Sequence, residues 1–252
     1  ARARFADNNL HLMGCSDPID REMELEELLE HVYTLPDEPD LIPYVVSYFD
    51  RNWGFAMTDR EKQALSPGRY KVKIDATLKP GSMTIAEAVL PGKSDREVII
   101  STYICHPSMA NDNLSGIAVA TALYKLIAAT PDRHYTYRFI FVPETLGAIT
   151  WLARNTEHAK SKIAAGLVLS CVGDDGALTW KLSRQGDTEI DRIARLALPK
   201  MGLDHQILPF VPAKGSDERQ FGSPGFNLPV GLLTRSVPGQ FRVYHTSGDD
   251  TE

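Results

Sequence analysis

The fold is decided by the stretch REVIISTYICHPSMANDNLSGIAVATALYKL, residues 96–126. Its first part, EVIISTYIC, is almost continuously apolar and lacks polar alternation, which predicts a strand that is covered on both faces. Its last part repeats apolar residues at helical spacing, and Asp112 or Asn113 can cap that helix. His106 and Asp112 lie in the loop between strand and helix, where open α/β sheets place their ligand sites.

Composition limits the classes of protein to which the chain can belong. It has 252 residues, 43% hydrophobic and 24% charged, which is typical of a globular chain with a sizeable core. The net charge of −6, with no basic block, predicts no nucleic-acid partner and no anionic membrane surface. No apolar run approaches the ~18 residues of a membrane-spanning helix.

The three cysteines have no paired spacing, which favours a reducing compartment over a disulfide framework. We therefore expect a soluble, cytoplasmic protein. Cys105 and Cys171 end apolar runs, and we expect both to be buried small apolar side chains rather than nucleophiles.

Further apolar runs predict strands that lead into polar loops. Residues 137–142 lead to Glu144, residues 167–172 lead to Asp174, and residues 228–233 form the last such run. Helical patterns separate these runs. Strands that alternate with helices predict an α/β three-layer sandwich with a largely parallel mixed sheet.

A proline-rich segment with many aromatic residues changes the character of the chain between residues 35 and 67. We predict a small β-rich domain inserted at residues 35–79, with residues 1–34 and 80–252 forming the main α/β domain. The alternating run at residues 70–74 and the β-rich run at residues 83–90 predict a hairpin-like pair. Any oligomer contact is expected on this insertion.

Four polar side chains follow predicted strands: His106, Asp112, Glu144 and His245. The carboxyl ends of parallel strands converge on one crevice, so these residues can meet there. Imidazoles with carboxylates suit a divalent metal such as zinc, and one carboxylate can bridge two ions. Each residue also has an ordinary structural interpretation: a solvated histidine, a helix cap at Asp112, or a surface charge at Glu144.

Four segments, in their order and spacing, resemble the zinc aminopeptidases that share a fold with glutaminyl cyclases. They are residues 84–116, residues 139–147 (FIFVPETLG), residues 215–231 (GSDERQFGSPGFNLPVG) and residues 244–250 (YHTSGDD). These segments resemble more closely a group of bacterial aminopeptidase-like proteins that carry an inserted β-rich domain and often a C-terminal winged helix.

This resemblance implies a zinc site of one or two ions. It implies His106 as a metal ligand, Asp112 as the carboxylate that bridges the metals, and His245 as a ligand of the other metal. It also implies that Glu144 is the general base and that Asp217 lends structural support.

Three positions depart from the family pattern. One is Ser108, where relatives often have an aspartate that orients the first histidine. The Glu-Glu pair of the relatives is Glu144-Thr145 here, and the aspartate at the end of their third strand falls at Ser170. Asp174, four residues further on, is the predicted replacement ligand.

The resemblance implies a metal-dependent hydrolase of aminopeptidase type, which cleaves an N-terminal residue or an amide of a small peptide-like substrate through a zinc-activated water. Two alternatives follow from the departures and from the shared fold. One is a catalytically degenerate scaffold that binds a peptide or a modified sugar. The other is a glutaminyl cyclase-like acyltransferase.

Overall fold

A computed structural model describes residues 8–108, 110–237, 239 and 241–251. The chain divides into two compact units. The first comprises Ala1–Ser82 and Val243–Asp249, and the second comprises Met83–Arg242 and Asp250–Glu252.

The first unit contains short elements that follow a 3-10 turn at Asn9–His11. They are β1 (Ile19–Glu24), α1 (Leu25–Leu29), β2 (Val32–Tyr33), β3 (Phe55–Ala56), α2 (Asp59–Gln63) and β4 (Arg69–Ile74). β1 pairs antiparallel with β4, and β2 pairs parallel with β3. Because apolar and polar residues alternate along β4, the Val72 side chain points into a core that also contains Met23 and Leu28.

The predicted hairpin of residues 70–74 and 83–90 is wrong. β4 pairs with β1, whereas Ala86–Leu90 pairs antiparallel with Thr136–Pro143 in the second unit. Alternation identifies a half-buried strand, but it does not identify the strand that pairs with it. The first compact unit contains β1, α1 and β2 together with β3, α2 and β4. The division into an insertion at residues 35–79 and a main domain of residues 1–34 and 80–252 stays a prediction.

The second unit is built on a seven-stranded sheet. Its elements are β5 (Ala86–Leu90), β6 (Glu97–Ile104), a π-helical turn (Asn111–Ser115), α3 (Gly116–Ala129), β7 (Thr136–Pro143), α4 (Leu146–Arg154), α5 (Thr156–Lys162), β8 (Ile163–Leu169), β9 (Leu178–Lys181), α6 (Glu189–Ala197), a 3-10 turn (Leu198–Met201), β10 (His205–Leu208), α7 (Glu218–Phe221) and β11 (Val230–Thr234). The strand order is β10-β9-β11-β8-β6-β7-β5. The four central strands β11, β8, β6 and β7 are parallel, and antiparallel pairs join β9 to β11 and β5 to β7.

Helices cover both faces of this sheet. Successive residues of β6 point to opposite faces, so Ile99 packs in the cluster that contains Trp151 of α4, and Ile100 packs in the cluster that contains Ala120 of α3. α5 and α7 lie on the face of α4, and α6 lies on the face of α3. The predicted three-layer α/β sandwich with a largely parallel mixed sheet is therefore confirmed.

No helix within the described residues combines the length and the apolarity that a membrane crossing requires.

Candidate active site

The carboxyl ends of β6, β7 and β8 lie at one edge of the sheet because these strands are parallel. The chain leaves β6 at Cys105 and His106, leaves β7 at Glu144, and leaves β8 at Ser170. The crevice outside such an edge is the usual ligand site of an open α/β sheet. The sequence predicted this position for His106 and Glu144.

The loop that carries Asp112 is fixed to the ends of two strands. The Asn113 side-chain amide donates to the Thr102 hydroxyl at 2.9 Å and to the Tyr103 carbonyl at 3.1 Å, both in β6. Its carbonyl oxygen accepts the backbone N–H of Cys171, after β8, at 3.1 Å. Asn113 is fully buried, and the Asp112–Asn113 peptide bond is cis. These contacts hold Asp112 at the edge of the sheet.

His106 and Asp112 form the candidate metal-ligand pair of this unit. Both are buried, with 7% and 1% of their surface exposed, and a ligand atom of one lies within 4.8 Å of a ligand atom of the other. The Tyr103 hydroxyl donates to Asp112 Oδ1 at 2.6 Å and lies 2.8 Å from the Ser170 hydroxyl. An imidazole beside a carboxylate is a donor set that zinc accepts.

Glu144 is held by two side chains at the start of the loop after β7. The Ser216 hydroxyl donates to Oε1 at 2.9 Å, and the Cys105 thiol donates to Oε2 at 3.6 Å. Burial raises the pKa of the Glu144 carboxyl, the Ser216 hydrogen bond lowers it, and the nearby charge of Asp112 raises it. A carboxylate with a raised pKa is better matched to general-base work near neutral pH than an ordinary glutamate.

A strained turn presents Glu144. Thr145 has φ of 61° and ψ of −67°, and the Leu146 N–H donates to the Glu144 carbonyl at 2.6 Å, which is the geometry of a γ-turn with positive φ. Such backbone is unfavourable for a β-branched residue and persists only where surrounding contacts hold it. Here the Thr145 N–H donates to Asp217 Oδ1 at 2.7 Å. Asp217 therefore supports the turn that positions Glu144.

Asp217 is fully buried behind this turn. Its second oxygen, Oδ2, has no hydrogen-bond partner among the described residues. Burial raises the pKa of Asp217 to about 7, although the hydrogen bond from Thr145 opposes that rise. The carboxyl is therefore partly protonated at neutral pH.

Asp174 lies in the loop after β8, and both of its carboxylate oxygens accept hydrogen bonds. The Asn111 amide donates to its Oδ2 at 2.5 Å, and the Gly176 N–H donates to its Oδ1 at 2.9 Å. Among the described residues, Asp174 does not join the group of candidate ligands that contains His106 and Asp112. Its role as a ligand stays a prediction.

His245 belongs to the first unit. Its ring stacks on Tyr244, with 3.9 Å between the ring centroids, and meets Tyr44 edge-on at 5.2 Å. Its carbonyl accepts the Tyr44 N–H at 2.7 Å, and its own φ is 56°. These contacts fix the backbone and the ring of His245, whose role as a ligand stays a prediction.

Three residues of this edge were missed by sequence reasoning. Tyr103 was counted as part of the apolar run, and Ser216 was passed over in the Gly-Ser-Asp turn in favour of Asp217. Cys105 was predicted to be buried, but it is exposed and its thiol donates to Glu144; Cys171 is buried as predicted. No sequence signal marks these roles, because each depends on a partner more than 35 residues away along the chain or on the side of the strand that a residue faces.

Comparison with solved structures defines the class of fold. The zinc aminopeptidase BSAP of Bacillus subtilis superposes with a TM-score of 0.66 and 16% identity, covering 87% of this chain and 58% of that chain. This level of identity shows the fold alone. The predicted likeness to the zinc aminopeptidase fold is confirmed.

The chain belongs to the family described as a domain of unknown function, DUF4910, whose model matches residues 27–252. A Clostridium acetobutylicum protein, provisionally named for polysaccharide biosynthesis and for an aminopeptidase-like domain, is 46% identical over 246 residues. That match covers 98% of this chain and 56% of the relative. A crystal structure from the same organism, provisionally named a peptidase, has a TM-score of 0.93 and 46% identity, covering 97% of this chain and 57% of that one. The chain thus spans little more than half the length of these relatives.

Proposed function

We propose that this chain is a zinc-dependent hydrolase of aminopeptidase type, which cleaves an N-terminal residue or an amide bond of a small peptide-like substrate. The observation that carries the proposal is the meeting of His106, Asp112 and Glu144 at one sheet edge, where Glu144 is oriented by Ser216 and has a raised pKa. A metal-assisted hydrolase needs at least metal ligands and a general base. The imidazole and carboxylate pair and the neighbouring Glu144 are candidates for these roles.

The proposed zinc ligands are His106, Asp112 and His245. His106 and Asp112 fit the metal by donor type, by burial and by their mutual distance. His245 is proposed from the Tyr-His-Thr-Ser element, and its ring is held by two tyrosines. Asp174 is left out of the proposed set because both of its carboxylate oxygens accept hydrogen bonds, one from Asn111 and one from Gly176.

Bound zinc would supply Lewis-acid polarisation of the amide carbonyl and acidify a water molecule. Glu144 takes the proton of the attacking water and delivers it to the nitrogen of the departing amine. Ser216 and Cys105 keep the two oxygens of Glu144 in place during this transfer. Asp217 keeps the γ-turn at Thr145 from relaxing, and so fixes the direction of the Glu144 side chain.

Local charge supports a substrate with a free amine. Three carboxyl groups lie near one another in the site. The charge of Asp112 raises the pKa of Glu144, and the charge of Glu144 raises the pKa of Asp217. The positive charge of Arg219 acts on both Glu144 and Asp217. An acidic site binds a substrate with a protonated α-amine more favourably than a substrate with a carboxylate at the same position.

Hydrolysis of a panel of aminoacyl anilides tests the proposal, with zinc-loaded and zinc-stripped protein compared. N-acylated amino sugars belong in the panel because the Clostridium relative is named for polysaccharide biosynthesis. The zinc-loaded protein is expected to release amine from at least one amide, and Glu144→Gln is expected to lose at least a hundredfold in kcat, which is at the low end of the typical contribution of a general base. Glu157→Gln, on an exposed residue of α5, is the matched control and should keep full activity.

Two results would contradict the proposal. Zinc binding without turnover of any amide would favour the degenerate binding scaffold. Release of ammonia from peptides with an N-terminal glutamine, without release of a free amino acid, would favour glutaminyl cyclase-like acyl transfer.

A further inference from the structure

Tyr103 occupies the inner side of the candidate metal site. It comes from β6 and is 1% exposed. Its hydroxyl oxygen lies between two buried groups, 2.6 Å from Asp112 Oδ1 and 2.8 Å from Ser170 Oγ. The hydroxyl has one proton, and the carboxylate is the stronger acceptor, so this proton is donated to Asp112.

The position of this hydroxyl matters because Asp112 is the carboxylate that could bridge two ions. In a two-metal site the ions lie about 3.5–4 Å apart, and a zinc ion lies about 2.0–2.2 Å from a carboxylate oxygen. An ion shared between Asp112 Oδ1 and a group at position 170 would have to lie between those two atoms. The Tyr103 hydroxyl is in hydrogen-bond contact with both of these atoms, at 2.6 Å and 2.8 Å, so such an ion would have to compete with the phenol oxygen.

We propose that the Tyr103 hydroxyl takes the place of a second metal ion, so that this chain binds a single zinc ion. The inference rests on the proposed function, since it concerns the same metal site. Asp112 then serves as a terminal ligand through one oxygen, and its other oxygen is oriented by Tyr103. Tyr103 is a positioning residue, because it acts on the metal through Asp112.

The surroundings prevent Tyr103 from moving aside. The backbone carbonyl of Tyr103 accepts a hydrogen bond from Asn113, which is also bonded to Cys171 after β8. Ser170 and Cys171 are both fully buried on the far side of the hydroxyl. A second ion could enter only by displacing a buried aromatic side chain, and close-packed interiors do not open such space cheaply.

Zinc stoichiometry tests the inference without reference to activity. Tag-free protein is saturated with zinc, passed through a desalting column, and measured by native mass spectrometry and elemental analysis. The wild type is expected to hold one zinc ion per chain above the background of His106→Ala. Two ions per chain in the wild type would overturn the inference and leave the proposed function intact. No zinc above that background would overturn the proposed function itself, and the inference with it.

A pair of variants tests the role of Tyr103 directly. Ser170→Asp adds a carboxylate with Tyr103 in place, and it is expected to stay at one zinc ion. Tyr103→Leu/Ser170→Asp also removes the hydroxyl, while Leu keeps apolar volume in the core, and it is expected to bind two. A second ion in the single variant, or its absence in a folded double variant, would overturn the inference. If the double variant does not fold, the stoichiometry of the wild type and of Ser170→Asp decides.

Discussion

Asp217 should make the stability of the protein fall as the pH rises through the slightly acidic range. The carboxyl is fully buried, and burial raises its pKa from 3.8 to about 7. The folded state therefore binds the proton more tightly than the unfolded state does. Between pH 4 and pH 7 the unfolded chain holds fewer protons at this site, so the free energy of unfolding decreases with rising pH. The contribution becomes constant well above pH 7, where the carboxyl has lost its proton in both states.

The size of the effect follows from the two pKa values. Each tenfold change in proton affinity corresponds to about 1.4 kcal/mol, so a pKa moved from 3.8 to about 7 corresponds to roughly 4 kcal/mol between strongly acidic and alkaline pH. Asp217→Asn removes this pH dependence and keeps an oxygen that accepts the Thr145 N–H. The amide nitrogen takes the position of Oδ2, which changes the free energy of unfolding by an amount that does not vary with pH.

The assay is urea denaturation of zinc-free wild type and Asp217→Asn at intervals from pH 4 to pH 8. The difference in unfolding free energy between the two proteins should change by about 3–4 kcal/mol across this range, in favour of the variant at high pH. Asp175→Asn, at an exposed aspartate, is the matched control and should follow the wild type at every pH. A difference between wild type and Asp217→Asn that does not change with pH would show that folding does not raise the pKa of Asp217.

Two further predictions concern neighbouring groups. Ser216→Ala removes the hydrogen bond that lowers the pKa of Glu144, so the acidic limb of the activity profile should move to higher pH; an unchanged limb would show that Ser216 does not act on the base. Lys181→Met leaves the fully buried Glu218 without its 2.6 Å ion-pair partner and should cost about 3–5 kcal/mol in urea denaturation. Lys181→Met/Glu218→Gln should recover part of that loss because no charge stays buried without its partner, and no recovery would contradict this explanation.

The sequence predicts strands better than it predicts the contacts between them. The apolar run of β6 is long and lacks alternation, so its burial on both faces could be predicted, and with it the position of His106 at the carboxyl edge. The pairing of β4 with β1 could not, because nothing in the alternation of residues 69–74 marks residues 19–24 as the partner. Local pattern gives the period of an element, whereas pairing is decided by the tertiary fold.

The candidate site shows the same division. Glu144 and Asp112 could be identified because each follows a predicted strand and carries a group with evident chemistry. Tyr103 could not, because an aromatic residue within an apolar strand is ordinarily core, and its contact with Ser170 joins residues 67 positions apart. The γ-turn at Thr145 could not be predicted either. Its positive φ is unusual for a β-branched residue, so the residue type gives no indication of such a turn.

The decisive measurement is the zinc content of protein purified without added metal, and again after zinc is supplied and the excess is removed. We expect about one zinc ion per wild-type chain and a loss of most of that zinc in His106→Ala and in Asp112→Ala. The controls His205→Ala and Asp175→Ala change exposed residues of the same types and should bind as the wild type does. A wild type that binds no zinc even when it is supplied, or a His106→Ala variant that keeps its zinc, would show that His106 and Asp112 do not form a zinc site.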